Sequence, residues 1–114
     1  MSVDYSCGIA LGWRVSQEER DRMVEQSNYE YEDDFICVDC YRDDSDYIYG
    51  VWLNRGPCDG LCLEINLFDL SEKIPDDFME ESYTRLRHMG CEEWVDNEHH
   101  PRHQPRMYMV GQVC

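Results

Sequence analysis

From Tyr5 to Val15 large and small residues alternate. Tyr5, Cys7, Ile9, Leu11, Trp13 and Val15 fall on one side, and Ser6, Gly8, Ala10, Gly12 and Arg14 on the other. A period of two with one large apolar face predicts a strand. The small residues predict close approach of another backbone or helix, and that face would also suit a homodimer. No Lys or Thr follows the glycines, which lie within the alternation, so a phosphate-binding loop does not fit. Ser16 and Glu19 form a capping box, which starts a surface helix from about Gln17 to Gln26.

Three strands are expected next: Phe35 to Tyr41, Tyr47 to Leu53 and Leu61 to Phe68. The polar run Asp43-Asp44-Ser45-Asp46 and a turn starting at Asn54-Arg55-Gly56-Pro57 separate them. Such short connections favour an antiparallel meander. Ser71 to Asp77 turns into a second helix, on which Phe78, Met79, Tyr83, Leu86 and Met89 recur at helical spacing up to the C-cap candidate Gly90. Cys91 to Asp96 reads as a short strand or irregular segment, residues 99–105 as a loop, and Arg106 to Val113 as a last strand. The expected order is β-α-β-β-β-α-β. This is a single α+β domain over residues 1–114, with about five mainly antiparallel strands and two helices on one face.

Charge narrows the function. The chain of 114 residues has a net charge of −15 and a pI near 4.4. Binding to DNA or RNA needs cations that displace counterions, so direct nucleic-acid binding is excluded, and an anionic membrane surface with it. No apolar run approaches the roughly 20 residues of a membrane span. Met1 to Trp13 has neither a basic lead nor a long apolar stretch, which reads as no secretory signal. The seven cysteines are odd in number, which fits reduced thiols in a cytoplasm.

The charge is uneven. Residues 1–98 carry −17, whereas residues 99–114 carry +2 with no acid and three of the four histidines. The densest block holds Glu30, Glu32, Asp33, Asp34, Asp39, Asp43, Asp44 and Asp46, with Tyr31, Tyr41 and Tyr47 interleaved. Alternate carboxylates on a strand stand about 6.6 Å apart. Two steps along a DNA strand rise about 6.8 Å. If extended, Glu30, Glu32 and Asp34 would imitate a phosphate backbone, and the tyrosines would anchor the contact. These eleven acids and tyrosines are the candidate partner-binding residues, and the expected partner is a basic nucleic-acid-binding protein.

In size, charge and lack of a catalytic signature the chain resembles the phage-encoded inhibitors of bacterial defence, the DNA-mimic anti-restriction and anti-CRISPR proteins. The resemblance implies a non-enzymatic inhibitor, without cofactor, that fills the basic cleft of a defence nuclease or CRISPR effector. An immunity protein that neutralises a nuclease toxin would use the same physics. A nuclease would need paired acids and usually a Lys; Pro57, Asp59 and Glu64 are followed by Asn66 where the Lys should stand.

Metal and nucleotide chemistry fit the sequence less well. Cys37, Cys40, Cys58 and Cys62 loosely match a four-thiolate zinc spacing, but residues three apart on a strand point to opposite faces. His99, His100 and His103, with Cys91 or Cys114, would bind a transition metal only if the Pro-flanked loop brought them together. Cys91 reads better as a buried thiol than as a nucleophile served by His88. A nucleotide-sequestering domain would need an arginine pocket, and the scattered arginines nominate none.

Overall fold

The computed structural model describes residues 5–38, 46–57 and 67–113. Its centre is β1, Tyr5–Ser16, which pairs antiparallel with β3, Asp46–Pro57, on one side and with β4, Arg106–Val113, on the other. The short β2, Phe35–Cys37, pairs with β3, so the sheet order is β2-β3-β1-β4. The α+β class and the antiparallel sheet agree with the expectation. Among the described residues, however, there are four strands and four α-helices rather than about five and two.

The β1 alternation is used on both faces. Leu11, Trp13 and Val15 enter the main core, 7%, 2% and 1% exposed. On the reverse face Ala10 is fully buried with Ile48 and Val110. The small-residue stripe is taken up within the chain's own sheet. Gly12 pairs with Gly50, and a Cβ on Gly12 would lie 2.0 Å from the Tyr49 carbonyl oxygen. A register shift between Ile9 and Ala10 leaves Leu53 as the extra residue of a bulge, and its side chain stays in the main core.

Helix α1, Gln17–Gln26, forms with both bonds of the capping box and buries Met23 and Val24. Helix α3, Phe78–His88, buries Phe78, Ser82 and Leu86. It ends with Gly90 at φ +83° and with the Cys91 N–H donating to the Leu86 carbonyl at 2.9 Å, a helix stop that needs a left-handed residue.

Three local expectations are corrected. The turn expected to start at Asn54 is strand, because β3 stays paired with β1 as far as Pro57. Cys91 to Asp96 is neither strand nor irregular: α4, Glu92–Asp96, follows α3 directly, and Trp94 is buried in the core. The last two residues of the expected strand Leu61 to Phe68 open α2, Leu67–Glu72, in which Leu70 is buried; residues 61–66 lie outside the described residues. In both places a single core side chain fixes a helix too short to form alone.

Leu70, Phe78, Leu86 and Trp94 join Met23 in the main core with Trp13 and Tyr49. The helices therefore cover one face of the sheet, as expected. Cys7 is disulfide-bonded, against the expectation of reduced thiols; an odd count excludes complete pairing but not a single bridge. No helix among the described residues is long and apolar enough to cross a membrane.

Candidate functional site: an acidic groove on the helical layer

The segment after α1 is not extended. Asn28 and Tyr29 adopt φ of 56° and 66°, and the Tyr29 N–H returns to the Val24 carbonyl at 2.9 Å. Glu32–Asp34 then form a turn of 3-10 helix. The strand spacing expected for Glu30, Glu32 and Asp34 is therefore not adopted. Each carboxylate instead follows a local opportunity. Glu32 pairs with Arg20 at 3.3 Å, and Asp34 with Arg85 at 2.6 Å. Glu30 and Asp33 stay exposed and make no ion pair among the described residues.

The tyrosines divide likewise. Tyr31 lies beneath Arg85, 5.1 Å from guanidinium to ring centre, with its hydroxyl 3.4 Å from His88 Nδ1. Tyr47 lies beneath Arg20 at 5.3 Å. Both are half-buried and already occupied by a cation. Tyr29 is 65% exposed beside Glu30 and is the better placed anchor. Asp46 stands apart: it accepts two hydrogen bonds from Arg14, at 2.5 and 3.1 Å, where β3 begins. Asp39, Tyr41, Asp43 and Asp44 lie outside the described residues. Among the described residues, the acids of the block are therefore engaged separately rather than as one strip.

The fold adds acids that the linear block did not include. A groove of about 560 Å3 runs between the 30–34 segment and α3, lined by Glu30, Tyr31, Asp77, Glu80, Glu81, Thr84 and Arg85. Positions 77, 80, 81 and 84 share one helical face, opposite Phe78, Ser82 and Leu86. That i, i+3, i+4, i+7 pattern was the signal available in the sequence. Arg85 holds the groove together: besides Asp34 it pairs with Glu81 at 2.9 Å. Burial tends to lower its pKa, but Asp34 and the Tyr49 hydroxyl outweigh burial and raise it. Burial in turn raises the Tyr49 phenol well above its ordinary value. The clasp thus stays charged on one side and neutral on the other at physiological pH.

Of the 19 carboxylates among the described residues, all but Asp46 are carried by the helices or the segments adjoining them. Negative charge is therefore concentrated on the helical layer.

The other candidate chemistry reads differently. Burial pushes the Cys91 thiol up to about 12, so at neutral pH it is a core group rather than a nucleophile. His103 Nδ1 bonds the Trp94 carbonyl at 2.8 Å, and its ring stacks on Tyr83. His100 stacks on Trp94 and accepts the Arg102 backbone N–H at 3.0 Å. These two histidines serve packing, while His99 is exposed. No group of three His, Cys, Asp or Glu among the described residues is placed to hold a metal ion. Pro57 ends β3, and the expected nuclease acids Asp59 and Glu64 lie outside the described residues. Comparison with protein-family models, curated proteins and solved structures finds no match.

Proposed function

We propose that the chain is a non-enzymatic binding protein whose acidic helical layer occupies the cationic cleft of a nucleic-acid-handling protein, such as a bacterial defence nuclease. The observation that carries this reading is the segregation of charge. Glu30, Asp77 and Glu80 are exposed around one groove, and Asp33 is exposed in the 3-10 turn that follows Glu30, all without an ion pair to this chain's own cations among the described residues. Concentrating like charge costs stability through self-repulsion. A partner rich in Arg and Lys would offset that cost on binding.

The imitation of nucleic acid is one of field and not of repeat. The carboxylates are set by a 3-10 turn and a helix face rather than by a strand. Such a surface steers encounter and gives an on-rate that falls with ionic strength. Tyr29 supplies aromatic area where the charges alone would be weakly held. It is held in the left-handed region, where a residue with a Cβ is strained by roughly 1–2 kcal/mol. Strain of that kind recurs where a side chain is aimed for contact.

The test uses the full chain as bait in a bacterial lysate, beside a variant in which Glu30, Asp33, Asp77 and Glu80 are changed to Lys. The reading expects a nucleic-acid-binding protein held at low salt, released at high salt and missed by the variant. A partner retained equally by the variant contradicts it. The same experiment identifies a toxin nuclease if the chain is an immunity protein.

A further inference from the structure

β1 runs into α1 close to where the 99–105 loop turns into β4. A cavity of about 420 Å3 opens there, within the usual range of small-molecule sites. Three of the chain's nine arginines line it, Arg14, Arg102 and Arg106, against two carboxylates, Glu19 and Asp46. It is therefore locally cationic in a chain of net charge −15. At physiological salt the screening length is about 8 Å, so a ligand inside responds mainly to the groups that line it.

Both carboxylates are already engaged. Asp46 is held by Arg14. Glu19 receives both terminal nitrogens of Arg102, one of them at 3.0 Å. Arg102 is fixed from three further sides. Its guanidinium lies 4.8 Å from the Trp94 ring centre, its carbonyl accepts the Trp13 indole N–H at 2.9 Å, and its own N–H is bonded to His100. A guanidinium carries five donors, so a clamped Arg102 keeps N–H groups to offer without the entropy of ordering a long side chain. The Arg106 side chain is exposed and has no ion pair or hydrogen bond among the described residues. The hydroxyl of the half-buried Tyr108 beside it also has no hydrogen-bond partner among the described residues.

We propose that this cavity binds a small organic phosphate of nucleotide size, with the phosphate on Arg106 and the remaining N–H groups of Arg102 and the ring against Tyr108. The guanidinium fork matches phosphate oxygens in pairs, and charge-assisted bonds of this type are the strong ones. Tyr108 and the buried Trp13 give the cavity aromatic walls that an inorganic anion would not use. The site is independent of the acidic groove, and neither reading needs the other.

Calorimetric titration tests it, with AMP, GMP, UMP and inorganic phosphate as probes of the wild type, Arg106→Ala, Arg106→Lys and Tyr108→Ala. The site predicts that at least one nucleotide binds with Kd below about 1 mM, and more tightly than inorganic phosphate. Arg106→Ala weakens that binding about tenfold or more. Arg106→Lys restores only part, because an ammonium is a point charge and not a fork. Tyr108→Ala reduces nucleotide affinity more than phosphate affinity. Arg106→Ala should melt with the wild type, since Arg106 makes no contact whose loss would unfold the chain. Absence of saturable nucleotide binding near 1 mM, or equal affinity of the wild type and Arg106→Ala, overturns the site. Equal affinity for nucleotide and inorganic phosphate overturns the organic ligand. The acidic-groove variant should bind the nucleotide as the wild type does, so the two readings can fail separately.

Discussion

Around the α3 groove and in the adjoining 3-10 turn, Glu30, Asp33, Asp77 and Glu80 face solvent without ion pairs among the described residues, whereas at the arginine cavity Glu19 and Asp46 are each tied to a guanidinium. One residue class thus plays two parts in one small domain. In the cavity, carboxylates act as structural partners that hold arginines in place. On the helical layer they are left to a surface, and the fold carries their mutual repulsion. Net charge alone does not distinguish these parts; pairing does.

The largest effect is expected at Trp13, which packs beneath α3 and lines the cavity. Trp13 packs on Tyr49, Phe78 and Tyr83 in the core and donates to the Arg102 carbonyl at the cavity. Trp13→Ala should cost about 3–5 kcal/mol in denaturant unfolding and disturb both sites together. The four-fold Lys variant of the groove comes next. It moves the net charge from −15 to −7, and should weaken partner binding about a hundredfold while leaving the low-salt melting temperature equal or higher. A lower melting temperature would mean that those acids are structural after all.

The Glu19–Arg102 pair predicts a pH effect with a defined sign. The Arg102 hydrogen bonds hold the Glu19 carboxyl below its ordinary range, against the opposing pull of burial. Its folded pKa is thus below its unfolded value of about 4.3. The stability it contributes is present above that value and is lost as pH falls through the folded pKa. Thermal melts of Glu19→Gln should show a shallower acid decline than the wild type and a cost of about 1–2 kcal/mol at neutral pH. The smallest effect is expected at Tyr29. Tyr29→Gly relieves left-handed strain of roughly 1 kcal/mol, so the melting temperature should not drop while partner affinity does.

What could be read in the sequence was whatever local rules decide. The β1 alternation, the Ser16–Glu19 box and the Phe78–Met89 stripe each specify an element within a dozen residues, and all three match the structure. Helices α2 and α4 were not legible, because their stability rests on Leu70 and Trp94 reaching a core assembled from distant segments. The acidic site was half legible. Glu30 and Asp33 stand out in a linear count, but Asp77 and Glu80 join Glu30 only through the helical period and the chain reversal at Asn28 and Tyr29. The arginine cavity was illegible for a similar reason: Arg14 and Arg102 meet only because β4 returns to lie along β1.

The most direct test of the account is whether this chain and duplex nucleic acid exclude one another from the captured partner. In a binding assay with the purified partner, increasing duplex should displace the chain completely, with competition fitting a single shared site. A stable ternary complex of partner, duplex and this chain would contradict the central claim.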